Sequence, residues 1–309
     1  MKPEAAPDNL PPGEAYLTAR QAAAYLHLNE KTLYALIAEG AIPATKVTGK
    51  WLFPKQLLDA WLLDSAHGGA LADRLLVGGS DDPLLASAIA RLAAEVGPDA
   101  LVAMSPTGTK LGLELLARRR IHACGIHWGT ADASPTVHAQ LVRAHPASRD
   151  WTMVRMALRE QGVILGRAHA GVTDLAALAA RAPRWSMRQE GAGSQRFLRL
   201  VLLEHGVPFE SLRVVQTVFS ERHAAAAVAQ GIVDCAPGVQ SAAAEFGLAF
   251  LPLGWEAFDL VVPRTVFFLA LFQRLLETLR SAEMRALAAS LRGYDLSPLG
   301  QVVPLDGPR

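Results

Sequence analysis

Across residues 74–280, short β-branched apolar runs alternate with stretches whose apolar residues recur at helical spacing, and this alternation limits the fold more than any other feature. The strand-like runs are Leu75–Gly78, Leu101–Met104, Ala123–Ile126, Val163–Leu165, Val214–Thr217 and Val233–Ala236. Helices are predicted near Pro83–Val96, Thr109–Arg119, Thr173–Ala182, Ser194–Glu204, Glu221–Gln230 and Val266–Leu279. In the first of these, Leu84, Leu85, Ile89, Leu92 and Val96 share one face. Strands that alternate with helices bury both by forming a largely parallel sheet covered on its faces, so the class is α/β. The chain has 309 residues, 51% hydrophobic and 19% charged, which suits globular domains and leaves room for two of them.

Residues 14–65 have a different texture. Thr18 followed by Gln21 is a capping-box pattern that opens a helix over Ala19–Leu26. Asn29 is an N-cap for a second helix, Glu30–Glu39, which Gly40 ends. Only His27 and Leu28 separate the two, so Ala22, Ala23, Leu26, Leu33 and Ile37 are able to share a seam. Thr45–Val47 and Trp51–Phe53 then flank Thr48, Gly49 and Lys50 as a short hairpin. Pro54 suits the first turn of a third helix with Leu57, Leu58, Trp61 and Leu62 on one side. Helix, turn, helix, wing, helix is the order of a winged helix-turn-helix.

The run Tyr16-Leu17-Thr18, Gln21-Ala22-Ala23, Leu26, Thr32-Leu33-Tyr34, Ile42-Pro43, Lys46-Val47, Gly49-Lys50-Trp51 and Pro54 resembles the excisionase/MerR-like winged helix. The resemblance implies binding to double-stranded DNA, with Lys31, Thr32 and Tyr34 toward the major groove and Lys46 and Lys50 on the wing against phosphates. Arg20 completes the expected DNA-binding set. Glu14, Glu30, Glu39 and Asp59 oppose these cations, so one copy neutralises few phosphates and a homodimer on a palindromic site is expected. The alternative is a small-molecule binding or interaction protein whose winged helix no longer reads DNA.

Three strand-to-helix junctions in the larger part carry glycine and hydroxyls: Gly78-Gly79-Ser80-Asp81-Asp82-Pro83, Ser105-Pro106-Thr107-Gly108-Thr109, and Gln189 to Arg196. Such junctions favour anions through free N–H groups and the helix dipole. Together with Ala227–Asp234, Phe250–Leu253 and Glu256–Pro263, they resemble the periplasmic-binding-protein-like domain of the molybdate-binding superfamily. The resemblance implies a type-II, two-lobed fold, with lobe one about 74–155 plus 255–300 and lobe two about 156–254. Ser80, Thr107, Gly108 and Thr109 then face an interlobe cleft from lobe one, and Gly193, Ser194, Gln195 and Arg196 from lobe two. The implied ligand is a small anion: molybdate or tungstate, an organic anion, or a cofactor fragment. Asp81 and Asp82 oppose an oxyanion there unless they turn away or pair with a cation such as Arg196.

The remaining expectations are mostly exclusions. Residues 1–13 are Pro-rich and acidic, read as a disordered tail rather than a signal peptide or anchor. Residues 66–73 read as a linker and 74–305 as the ligand-binding domain. Val266–Phe272, the longest strongly apolar run, is far short of the ~20 residues that span a bilayer, so a cytoplasmic protein without membrane contact is expected. Cys124 and Cys235 imply neither a disulfide framework nor a zinc site. His122 and His127 bracket a strand on opposite faces and read as packing, and Glu221-Arg222-His223 reads as a solvated helix start. With no P-loop, nucleophile elbow or His-Glu-x-x-His, the chain reads as a regulator without enzymatic activity and without a cofactor.

Overall fold

A computed structural model describes residues 16–47, 49–66 and 74–305; the predicted tail, residues 67–73 of the predicted linker and Thr48 of the hairpin lie outside the described residues. The chain divides into two compact units, residues 1–72 and 73–309.

In the first unit the capping box forms as its residues dictate. Thr18 accepts the Gln21 N–H, and the Gln21 side chain accepts the Thr18 N–H at 2.8 Å, which starts α1 (Ala19–Tyr25) after strand β1 (Tyr16–Thr18). His27 adopts a left-handed φ of 53°, which turns the chain within the tight connection. Asn29 Oδ1 then accepts from Thr32 N–H at 2.8 Å and opens α2 (Glu30–Ala38). β2 (Thr45–Val47) and β3 (Lys50–Pro54) make the wing, and α3 (Lys55–Ala66) follows. Two features differ from the sequence prediction. Tyr16–Thr18 adds a third strand beside β3, giving the order β1-β3-β2, and α3 runs on through Ala66, into the predicted linker. Leu17, Ala22, Ala23, Leu33, Ile42, Phe53 and Leu58 close the core. The Trp61 indole N–H ties α3 to the Ala41 carbonyl at 2.7 Å.

The second unit runs β4 (Arg74–Gly79), α4 (Pro83–Val96), β5 (Leu101–Pro106), α5 (Thr109–Ala117), β6 (Ala123–Ile126), α6 (Ser134–Arg143) and β7 (Trp151–Leu165). Next come α7 (Leu175–Ala180), β8 (Arg184–Arg188), α8 (Gly193–Glu204), β9 (Arg213–Val218), α9 (Glu221–Ala229), β10 (Cys235–Val239) and α10 (Gln240–Glu245). It ends with β11 (Ala249–Pro263), α11 (Arg264–Phe267), α12 (Ala270–Arg280), α13 (Ala282–Leu291), β12 (Tyr294–Asp295) and β13 (Val302–Val303). One sheet has the order β5-β4-β6-β11-β7-β10-β8-β9, with β12 and β13 also on β7. The outer strands β5-β4-β6 and β10-β8-β9 are parallel, as the alternation predicts.

The centre of the sheet is antiparallel. β7 and β11, 15 residues each, pair along nearly their whole length and pass from one lobe into the other. β11 joins lobe one through β6 at Asp259–Val261, and β7 joins lobe two through β10 at Gln161–Leu165. Register shifts in β11 at Pro252/Gly254 and Phe258/Asp259 bracket the crossing. Helices cover both faces of each lobe. In lobe one, Leu84, Ile89, Phe272 and Leu276 fill one side, with Leu113, Leu116 and Val142 on the other. In lobe two, Leu178, Phe197 and Leu202 oppose Ala224, Val228 and Ala242 across the sheet.

The single helix predicted over Val266–Leu279 is two, because the Gln273 side-chain amide takes the Phe267 carbonyl and so ends α11 where α12 begins. Among the described residues no helix is long and apolar enough to cross a membrane. Phe272 is fully buried between α12 and the sheet, so Phe272→Ala is expected to cost about 3–5 kcal/mol, read as a lowered denaturant midpoint of the second unit.

Candidate functional sites

Where β7 and β11 cross, a cluster of charges is buried. Arg159 on β7 is opposite Glu256 on β11, and both are 0% exposed. The Arg159 guanidinium donates to Glu256 through Nε at 3.1 Å and also through Nη2, and its Nη1 donates to Asp82 Oδ2 at 2.9 Å. It also lies over the Phe258 ring, 4.4 Å from the centroid. Asp82 at the same time N-caps α4 through the Leu85 N–H and accepts from the Tyr294 hydroxyl at 2.7 Å. On the other side of Glu256, His127 Nδ1 lies 2.6 Å from Oε2, which makes His127 the donor there. A charge without partners is not stable in a protein interior, and here each of these is paired.

The second lobe completes the cluster. The Glu221 N–H, first in α9, donates to Asp81 Oδ2 of lobe one at 2.9 Å. Arg188, at the end of β8, approaches Asp81 Oδ1 at 3.5 Å and Glu221 Oε1 at 3.7 Å, too far for well-made hydrogen bonds. His127 Nε2 is 3.8 Å from Glu221 Oε1. Both Glu221 oxygens, Asp81 Oδ1, Arg188 Nη1, Ser194 Oγ, Gln195 Oε1 and Arg196 Nε are buried without a hydrogen-bond partner. Each such group costs roughly 1–3 kcal/mol of desolvation. Asp81 and Asp82 thus meet Arg188 and Arg159 rather than Arg196, and Glu221 is 0% exposed rather than in a solvated turn. His127 is more than packing, since it links β6 to the crossing strands.

The predicted ligand residues come to this region with unequal freedom. Thr109 Oγ1 donates to the His127 carbonyl at 3.1 Å, so Ser80 Oγ, 2.8 Å away, must spend its own proton on Thr109. Thr107 Oγ1 accepts from Gly79 N–H at 3.1 Å. Ser80 and Thr109 therefore have no hydroxyl proton left to offer a ligand. Gly108 heads α5 with no side-chain cap, at a φ of 80°, where a Cβ would meet Gln189 of lobe two at 2.9 Å. Gly193 begins α8, and a Cβ there would meet the His127 carbonyl at 2.2 Å, so only glycine permits this approach between lobes. Ser194 is 1% exposed beside it, and α8 has neither a side-chain cap nor an acidic residue in its first turn.

Arg196 stacks over Trp128, its Cζ 4.9 Å from the ring centroid, while Lys110 lies 5.4 Å from the same ring. Trp128 is held by a relay: its backbone N–H donates to His138 Nε2 at 2.9 Å, and His138 Nδ1–H donates to Asp259 at 2.7 Å. Sequence reasoning missed Arg159, Arg188, Glu256, Trp128 and His138. The available signal was charged residues set among apolar ones, Arg155, Arg159 and Glu160 in Met153–Leu165 and Glu256 and Asp259 in Leu251–Val262.

The carboxylates of the cluster are pushed in opposite directions. Burial works against the charge of Glu256, yet His127 and Arg159 outweigh it and hold the group at about 2. Burial dominates at Glu221 and, with Asp81 adding to it, keeps that carboxyl above its ordinary value despite Arg159, His127 and Arg188.

On the first unit Arg20, Lys31, Tyr34, Lys46 and Lys50 are exposed, and Tyr34 retains 46% of its surface. Lys31, Tyr34 and Ala38 fall at i, i+3 and i+7, one stripe of α2. Thr32 is exposed, but its hydroxyl is bound to Asn29 at 2.9 Å. On the wing, Lys46 Nζ lies 5.8 Å from the Trp51 ring centroid. Lys55 is drawn away from a ligand by Asp59 at 3.2 Å.

A model of a helix-turn-helix domain matches residues 16–65. The model of the PBP superfamily domain matches residues 90–280, more than half of the chain, which therefore belongs to that superfamily. A search of curated proteins found no match. Among solved structures, an H2O2-bound mutant of Corynebacterium glutamicum OxyR is 18% identical, with 88% of this chain and 90% of that chain covered and a TM-score of 0.50. A Clostridium perfringens substrate-binding protein assigned to phosphate ABC transport, with bound phosphate, is 10% identical over 71% of this chain and 97% of that chain, also at 0.50. At these identities the likeness is one of fold, a type-II, two-lobed arrangement.

The two carboxyls give opposite pH signatures. Glu256, depressed in the folded state, contributes stability above its unfolded value of ~4.3 that disappears as pH falls toward about 2. Glu221, raised in the folded state, does the reverse: stability falls as pH rises above the unfolded value. Glu221→Gln is therefore expected to raise the melting temperature of the unliganded protein at pH 7, and Glu256→Gln to lower it, in unfolding scans from pH 2 to 8.

Proposed function

We propose that the chain is a ligand-responsive DNA-binding regulator of transcription. Its helix-turn-helix unit reads double-stranded DNA, and a small molecule held between the lobes of the second unit changes how well it does so. The observation that carries this reading is the joining, in one chain, of a helix-turn-helix domain to a hinge whose two lobes both contribute buried groups without partners. A closed domain that leaves such groups unpaired is penalised, and a ligand that pairs them favours closure. Only that difference in affinity between open and closed states is able to drive a switch.

The ligand-contacting set is Gly193, Ser194, Gln195 and Arg196 with Arg188 from lobe two, and Ser80, Thr107, Gly108 and Thr109 as the lobe-one wall. The OxyR structure holds H2O2 and the Clostridium protein holds phosphate, which supports small polar ligands for this fold. An anionic group, of the kind that molybdate and tungstate carry, suits the uncapped end of α8. His127 and His138 are each held by a buried carboxylate and read as positioning groups, so we assign no catalysis. A cytoplasmic homodimer is part of the proposal, because the few cations of one winged helix neutralise few phosphates.

DNA binding is measured by fluorescence anisotropy with duplex probes over a range of salt. Affinity is expected to fall steeply as salt rises, and Lys31→Ala and Lys50→Ala each to weaken binding and reduce the salt slope by about 1. Binding that is absent, or indifferent to salt and to both substitutions, would favour the interaction-module reading instead.

A further inference from the structure

We infer that the molecule bound between the lobes is a small zwitterion. It directs a cationic group at the Asp81 and Glu221 carboxylates, and an anionic group at Arg188 and the first turn of α8. The inference rests on the reading of this site as the effector site and specifies the chemistry of its occupant.

The crossing strands bring four buried carboxylates together, Asp81, Asp82, Glu221 and Glu256, against two buried guanidiniums, Arg159 and Arg188, and the imidazole of His127. Arg159 is committed to Glu256 and Asp82, and His127 to Glu256. Asp82 and Glu256 are thereby satisfied, and the shortage falls on the other pair. Asp81 has one oxygen on the Glu221 N–H and the other without a donor, and neither Glu221 oxygen has one. In their ionised forms Asp81 and Glu221 only accept, so these three atoms call for donors. A bare oxyanion supplies none and adds negative charge beside Glu221.

A bare cation fails from the opposite side. Arg188 is 3% exposed with Nη1 unpartnered and turned into the cluster, 3.7 Å from Glu221. Ser194 is 1% exposed with Oγ unpartnered, at the uncapped start of a helix of 12 residues. These groups call for acceptors, and a carboxylate there accepts charge-assisted bonds from a guanidinium and a helix end. Arg188, which calls for an acceptor, lies 3.5 Å from Asp81 and 3.7 Å from Glu221, which call for donors. A ligand that meets both carries its opposite charges only a few atoms apart, as an α-amino acid does.

The test titrates the full-length protein calorimetrically with the proteinogenic L-amino acids. Sulfate, phosphate and molybdate serve as anion-only probes and putrescine as a cation-only probe. An amino acid is expected to bind more tightly than any single-charge probe. Glu221→Gln removes the acceptor charge while keeping the shape, and is expected to weaken that amino acid by about tenfold or more while strengthening the oxyanions. Glu221→Asp keeps the charge and is expected to retain the preference. Thermal unfolding of each variant without ligand shows that it is folded.

An oxyanion that binds the wild type more tightly than every amino acid overturns the inference. So does an amino acid whose affinity Glu221→Gln leaves unchanged, and so does a failure of every amino acid to bind. Failure of the regulator reading shows elsewhere, as a protein that binds no duplex DNA whatever the titrations give.

Discussion

Arg159 is the interaction on which the ligand-binding unit depends. A fully buried guanidinium in the middle of a strand is unfavourable unless its donors are used and its charge is met. Burial works against that charge, but Glu256, Glu221 and Asp82 outweigh it and hold the group more firmly protonated than a free arginine. The partners it requires come from different parts of the chain: the adjacent strand, the cap of α4 and, at longer range, the start of α9. Satisfying one residue therefore fixes where β7 and β11 cross, how α4 leaves β4, and which end of lobe two faces lobe one.

The cost of that design is paired unevenly. Apart from Asp81, lobe one and the crossing strands satisfy their charges internally, through Arg159, His127 and the His138–Asp259 relay behind Trp128. Lobe two brings Glu221 and Arg188 to the same place with geometry too loose for hydrogen bonds. The strain is thus concentrated at the boundary between lobes, where motion relieves it. A two-state hinge needs a closed form that is attainable yet incomplete without its ligand, and an interface of half-paired charges has that property.

Much of the architecture was readable from the residues, for identifiable reasons. Thr18, Gln21 and Asn29 specify helix starts through local bonds, and α4 begins at Pro83 because Asp82 caps it. The parallel strands β4, β5 and β6 contain continuous apolar runs, whereas β8, Arg-Trp-Ser-Met-Arg, was not predicted because its two arginines and serine break any such run. The crossing strands did not, because Arg155, Arg159, Glu160 and Glu256 interrupt them, and a charge in a run argues for loop unless its partner is known. That partner is distant in sequence: Glu256 for Arg159, Asp259 for His138. The same separation concealed the site. The glycine and hydroxyl junctions lie beside the cluster, but Ser80 and Thr109 bind each other, and the unpaired groups include Glu221, Asp81 and Arg188 as well as the predicted Ser194, Gln195 and Arg196.

The central claim is that unpaired charge between the lobes holds the unliganded domain away from closure. It is tested most directly by the interlobe distance in solution. Cys124 and Cys235 are buried, so labels at Leu111→Cys on lobe one and Leu203→Cys on lobe two, both exposed in the native chain, report that distance selectively. The account predicts a long, broad distance distribution for the unliganded protein at pH 7, which shortens and narrows when Glu221→Gln is added to the labelled background. Identical distributions with and without Glu221→Gln would contradict it.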